Sequence, residues 1–103
     1  DLGFSLENIV YFELLRRGYR VAMGRNGNTE ADFVAEKQGV YQYFQVTADM
    51  TAQETFDREM RPLQNIRDHY EKIVLTADFL TVGNYNGIRV INLIDWLLES
   101  ESA

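Results

Sequence analysis

An α/β chain with a mixed sheet, in the order α-β-β-β-α-β-β-α, is the fold this sequence predicts, on three observations. Residues 29–37 (TEADFVAEK) and 40–47 (VYQYFQVT) both read as strands, and the Gln38-Gly39 pair between them suits a tight hairpin turn. Residues 72–77 (KIVLTA) form a short unbroken apolar run, as expected of a strand buried in a sheet. Between the hairpin and that run lies a segment with helical spacing. The two strands flanking it must therefore run parallel, joined by a right-handed crossover.

Residues 5–17 are expected to be a helix, with Ser5 as N-cap and Gly18 just past its end. At about 100° per residue, Leu6, Val10, Leu14, Tyr11 and Leu15 make an apolar stripe, and Glu7 falls near its middle. A carboxylate aimed inward there needs a partner; a buried ion pair with Arg17, Arg20 or Arg25 would serve. Residues 19–24 predict a short strand and 25–28 (RNGN) a turn. A two-residue hairpin loop then sets the register of the next two strands, placing Asp32 opposite Gln45. Glu30, Asp32, Val34 and Glu36 share one face with Tyr41, Tyr43, Gln45 and Thr47. Ala31, Phe33 and Ala35 share the other with Gln42, Phe44 and Val46.

Thr51-Ala52-Gln53-Glu54 has the pattern of a capping box. It opens a helix whose apolar face is Phe56, Met60, Leu63, Ile66 and Tyr70. Pro62 is expected to kink that helix or split it after Met60. Residues 81–87 (TVGNYNG) are expected to be a loop and 88–91 a last strand. Asn92 caps a final helix carrying Leu93, Ile94, Trp96, Leu97 and Leu98, and the last residues (ESESA) are expected to fray.

The 103 residues suffice for one domain and one core, with no internal repeat or linker. Cysteine is absent, which excludes disulfides and thiolate metal sites and favours an intracellular, cytoplasmic setting. No apolar run approaches a membrane-spanning length and no signal-peptide pattern opens the chain. A start at Asp1-Leu2-Gly3, without an initiator Met, reads as an excised domain. The net charge of −6 is unusual for a protein that grips phosphates, although Arg58 and Arg61 with Asn65 lie along one helix face and form a weak candidate nucleic-acid contact. Ordinary structural roles are expected for Glu13 with Arg17 (a surface i, i+4 pair), for His69 (at a helix C-terminus) and for Tyr41 and Tyr43 (cross-strand aromatics). Gly24 and Gly27 belong to no phosphate-binding loop.

The stretch LENIVYFELLRRGYRV, followed by EADFVAE, YFQVT and TAQETFDREMRPLQNIRDHYEKIVLTADFLT, resembles the C-terminal domain of certain bacterial and archaeal AAA-type P-loop ATPases. The resemblance covers nearly the whole chain. Its most specific pieces are Leu6-Glu7-Asn8, Glu30-Ala31-Asp32-Phe33 and the TFDRE of residues 55–59. It implies a restriction-endonuclease-like, PD-(D/E)xK core, with residues 1–103 forming a single nuclease-like domain at the C-terminal end of a larger ATPase. In active members of that superfamily, Glu7 would correspond to the helix carboxylate that helps orient metal. Asp32 would correspond to the strand Asp that binds Mg²⁺. Gln45 stands where a second carboxylate belongs and Thr47 where the catalytic Lys belongs.

Those departures weaken the chemistry. An amide oxygen can still ligate Mg²⁺, so Asp32 and Gln45 form a weak candidate metal pair, but it carries no charge to offset the dication. A hydroxyl at position 47 cannot stabilise the developing phosphorane charge, unless Lys37 or Arg25 supplies a relocated cation. The expectation is a catalytically degenerate accessory or interaction domain whose principal partner is its own ATPase domain, with oligomerisation left open. The competing readings are an active metal-dependent DNA endonuclease and a non-cleaving nucleic-acid-binding module.

Overall fold

The computed structural model describes residues 5–24 and 29–99, which form three helices and a six-stranded mixed sheet. The elements are α1 (Leu6–Arg16), β1 (Arg20–Met23), β2 (Phe33–Lys37), β3 (Val40–Thr47), α2 (Gln53–Gln64), β4 (Glu71–Thr76), β5 (Gly83–Tyr85), β6 (Ile88–Asn92) and α3 (Leu93–Leu98). The sheet order is β1-β2-β3-β4-β6-β5. β1, β2 and β3 form an antiparallel meander, β4 and β6 continue it in parallel, and β5 closes the far edge antiparallel to β6. The turn expected at 25–28, the chain start (residues 1–4) and residues 100–103 of the terminal ESESA fall outside the described residues.

Alternation along the central strands builds two cores. Phe33, Ala35, Phe44, Val46, Ile73 and Leu75 pack under α1 and α3, against Val10, Leu14, Leu93 and Trp96. Val74, Ile88 and Val90 face the other way, toward Met60 and Leu63 of α2. β4 feeds both layers, which is why its Ile73-Val74-Leu75 run is apolar without alternation.

The hairpin adopts the expected register, from Phe33 opposite Phe44 to Lys37 opposite Val40. Its turn residues Gln38 and Gly39 both have positive φ (54° and 83°), the twist-compatible geometry of a two-residue connection.

Several elements differ from expectation. The segment 81–87 is not simply a loop: residues 83–85 pair with β6 through an Asn86-Gly87 turn, giving a sixth strand. Three residues are too few for periodicity to register. Pro62 neither splits α2 nor ends it, because the helix closes at Gln64, where a missing N–H interrupts little of the remaining ladder. The N-cap of α2 is Ala52, without a side-chain cap bond, since the Thr51 hydroxyl donates to Asp49 Oδ1 (2.7 Å) instead. Tyr70 and His69 lie beyond the helix; Tyr70 packs edge-on against Tyr41 (5.3 Å) and the His69 ring lies 4.5 Å from that of Tyr70. Leu15, counted in the α1 stripe, is exposed. Asn92 caps α3 as expected, its Oδ1 accepting from the Asp95 N–H at 3.1 Å.

Candidate functional site

The site forms where the antiparallel half of the sheet meets α1 and α2. Regular pairing stops at Phe33, and Asp32 lies one residue before β2. Side chains replace the ladder there. Gln45 Oε1 accepts from the Asp32 N–H at 2.7 Å, and Asp32 Oδ2 accepts from the Val46 N–H at 2.9 Å. Asp32 and Gln45 are thus neighbours, as the register requires.

The alternation does not extend to Ala31. The chain bends at Ala31-Asp32, with the Ala31 N–H bonded to Thr29 Oγ1 at 2.7 Å. Ala31 consequently joins the α2-side core and not the face of Phe33. Gly24 makes the bend fit: its N–H donates to the Asp32 carbonyl at 3.2 Å, and a Cβ on it would stand 1.8 Å from the Ala31 carbonyl oxygen. This close approach, not φ freedom or phosphate binding, is what requires a glycine at position 24.

Gln45 is 5% exposed. Its Nε2 donates to the Glu59 carbonyl oxygen (3.3 Å) and to Glu59 Oε1 (3.1 Å) on α2. Because the Asp32 N–H must donate, the amide oxygen faces Asp32 and the NH₂ faces Glu59. One side chain thereby ties the start of β2 to the middle of α2. Glu59 was not singled out as a site residue; its only sequence signal was its place at the end of the TFDRE stretch. Burial first, and the nearby Asp32 carboxylate second, push the Glu59 carboxyl above its ordinary range. Arg58 and the Gln45 hydrogen bond oppose the rise, and Glu7 adds to it.

Glu7 lines a cleft of about 350 Å³ with Met23, Glu30, Ala31 and Asp32. It is exposed, not inward-pointing as its place in the stripe implied, although its first-turn neighbour Leu6 packs against the core. Two of the proposed ion-pair partners are engaged elsewhere: Arg17 with Glu13, and Arg20 with Glu36.

Thr47 continues the Gln45 side of β3 and is half-buried; its hydroxyl lies 3.5 Å from the Asp49 carbonyl oxygen. Lys37, one alternative cation, is at the opposite end of the hairpin, with Nζ 4.7 Å from the Tyr19 ring centre. Five residues of strand put its backbone about 16 Å from that of Asp32. Arg25, the other alternative, lies outside the described residues. Arg58, Arg61 and Asn65 are all exposed on or at the end of α2, at the 3- and 4-residue spacings of one helix face. Arg58 stands 3.9 Å from Glu59 Oε2.

As a Mg²⁺ site this donor set is a poor fit. A hard dication takes several oxygen ligands, with carboxylates offsetting its charge. Here the Gln45 oxygen is directed at a backbone N–H and one Asp32 oxygen at another. Among the described residues no cluster of three or more acids or histidines has a spacing suited to a metal ion.

Three other polar centres hold the frame. Asp78 Oδ2 accepts from the Met50 N–H (3.0 Å) and the Thr76 hydroxyl (2.7 Å), and its Oδ1 accepts from the Thr81 N–H (2.9 Å) and hydroxyl (2.8 Å). Burial acts to raise its pKa, but these donors outweigh it and bring the value down to about 2. Arg17 is not the surface partner expected of an i, i+4 pair. It donates to Glu13 (2.7 Å) and to the Trp96 carbonyl (2.6 Å), and its guanidinium lies 4.3 Å from the Trp96 ring centre, joining α1 to α3. The Glu13 carboxyl is held down to about 2, chiefly by the hydrogen bonds from Arg16 and then Arg17, against the cost of burial. Tyr43 donates to Asp68, and burial followed by that carboxylate pushes its hydroxyl up to about 12, in keeping with the structural role expected of this cross-strand ring.

No family model matches the chain, and no solved structure matches it. It is similar to a protein of Haemophilus influenzae described as uncharacterized, with 40% identity over 94 residues. The match covers 91% of this chain and 23% of the relative, so the chain spans less than a quarter of that protein's length. Among the described residues no helix is long and apolar enough to cross a membrane.

Proposed function

We propose that this chain is a nuclease-like accessory domain of the restriction-endonuclease-like type that does not cleave nucleic acid. It serves as an interaction or regulatory module attached to a larger AAA-type P-loop ATPase in the cytoplasm of a bacterium or archaeon. The observation that supports this most is the commitment of Gln45. At the place of a metal-binding carboxylate stands a buried amide whose oxygen accepts from Asp32 N–H and whose NH₂ donates to Glu59. The polar pocket has become a joint between α2 and the hairpin. Thr47, at the place of the catalytic Lys, brings no charge, a loss worth about 3–4 kcal/mol of transition-state stabilisation by analogy with an oxyanion donor.

The test is cleavage of plasmid and single-stranded DNA, and of RNA, by the chain with Mg²⁺ or Mn²⁺. The expected result is no metal-dependent cleavage. Cleavage that Asp32→Ala abolishes would overturn the reading in favour of an active endonuclease.

Non-cleaving nucleic-acid binding is the second reading, favoured by the exposed Arg58, Arg61 and Asn65 on one face of α2. The chain's net charge of −6 weighs against it. A mobility shift that weakens with salt and is lost in Arg58→Ala/Arg61→Ala would establish it.

A further inference from the structure

Asn86-Gly87, the two-residue connection between β5 and β6, is the one place among the described residues where an asparagine precedes a glycine. Asn8, Asn65, Asn84 and Asn92 precede Ile9, Ile66, Tyr85 and Leu93. The difference is chemical. The backbone nitrogen after an asparagine can attack the side-chain amide carbon and close a five-membered ring, which is one reason asparagine is thermolabile. A bulky next residue crowds that approach, and glycine crowds it least. Both turn residues are exposed, and a Cβ on Gly87 would meet nothing within 4 Å, so the turn stands open to water.

The fold acts on this reaction at one point. Asn86 and Gly87 have φ of 55° and 93°, the geometry of a two-residue hairpin turn, and Tyr85 pairs with Ile88 across it. The Gly87 N–H, on the attacking nitrogen, donates to Asn84 Oδ1 at 2.9 Å. That nitrogen must give up its proton and turn toward Asn86 Cγ, so the bond to Asn84 has to open first. β5 is a three-residue edge strand, and such elements open locally without unfolding the rest.

We propose that Asn86 is a site of spontaneous deamidation and that Asn84 sets its rate. The Gly87 nitrogen bonds to Asn86 Cγ while the bond from Cγ to the side-chain nitrogen breaks. That nitrogen leaves as ammonia, taking the proton of the Gly87 N–H. Water then opens the succinimide at either carbonyl, leaving an aspartyl or isoaspartyl residue at position 86. Water is the only co-reactant. The product puts a negative charge into residues 79–88, which carry none. Its isoaspartyl form also lengthens the backbone of the turn, which should loosen β5 from β6. The inference is independent of the nuclease-like reading.

The test is tryptic peptide mapping by mass spectrometry after incubation in neutral buffer at physiological temperature. Trypsin puts Asn86 in the 73–89 peptide and the other Asn-Gly pair, Asn26-Gly27, in the 26–37 peptide. Conversion at position 86 should accumulate in the folded wild-type chain, more slowly than in urea. Asn84→Ala should speed it by roughly two- to tenfold, the factor that one ordinary hydrogen bond imposes on opening. Asn84→Asp keeps an acceptor and should stay near the wild-type rate. In urea, where the bond is absent, the three chains should convert alike. A second measurement needs no variant: the Gly87 amide should exchange its hydrogen with solvent more slowly in the folded chain than in the unfolded one. Position 86 left intact in the folded chain, after the unfolded chain has converted, overturns the proposal. So does a Gly87 amide that exchanges at the unfolded rate, an Asn84→Ala rate equal to that of wild type, or an acceleration that persists in urea.

Discussion

Asp32 and Gln45 each complete the other's strand: the Gln45 amide oxygen takes the Asp32 N–H at 2.7 Å, and the Asp32 carboxylate takes the N–H of Val46, the residue after Gln45, at 2.9 Å. Two side chains thus do the work of ladder hydrogen bonds just beyond the end of β2. The same two positions carry the proposed nuclease-like reading, so changes to them test the structure and that proposal together.

Gln45→Glu keeps the size of the side chain, loses the NH₂ that donates to Glu59 and adds a carboxylate beside Asp32 and Glu59. At pH 7 the variant should be less stable by about 1–3 kcal/mol, the cost of a broken buried hydrogen bond with like charges introduced. The deficit should shrink in mild acid as one carboxyl takes a proton. Mg²⁺ should raise the melting temperature of Gln45→Glu/Thr47→Lys more than that of the wild type. Thermal scans with and without Mg²⁺ or EDTA check this.

Glu59→Gln should act in the opposite sense. The folded-state pKa of Glu59 lies above its ordinary value, so its charged form costs folding free energy at neutral pH. That cost fades as pH falls through the raised folded value and is gone below the unfolded one, about 4.5. The amide removes the charge but can still accept from Gln45, so the variant should be as stable as the wild type or more so at pH 7. Its advantage should vanish near pH 4. Urea unfolding at the two pH values reads the difference, and a large loss of stability at pH 7 would refute the assignment.

Asp78→Ala removes an acceptor that holds Met50, Thr76 and Thr81 together. Charge-assisted bonds of this kind contribute about 1.5–3 kcal/mol each net of their exchange with water, and the variant should lose at least that much. The folded pKa is depressed from 3.8 to about 2, so the stabilisation is complete above the unfolded value and is lost as pH falls from there through about 2. The gap between wild type and variant should therefore narrow across that acid window in pH-dependent unfolding.

Arg16 and Arg17 both bond to Glu13, yet their burial separates them: their side chains are 63% and 12% exposed. Arg16→Ala should cost at most about 1 kcal/mol, as exposed ion pairs do. Arg17→Ala leaves the Trp96 carbonyl and ring without their cation and should cost about 2–3 kcal/mol. Since Trp96 is the only tryptophan, its fluorescence should shift in Arg17→Ala and stay nearly unchanged in Arg16→Ala.

The sequence by itself determined the hairpin, its register and the parallel pairing of β3 with β4. Each rests on a local property: φ > 0 at a two-residue turn, period-2 alternation, and a helix-length crossover between two apolar strands. The adjacency of Asp32 and Gln45 follows from that register alone. Only the tertiary structure decided what surrounds the pair. Glu59 reaches Gln45 from a helix 14 residues away in sequence, Arg17 reaches Trp96 across 79 residues, and Asp78 draws in Met50 across 28. No periodicity records such pairings, because polar side chains are placed by the packing of the elements that carry them. β5 escaped for a related reason: three uncharged residues become a strand only when β6 lies beside them to take their hydrogen bonds.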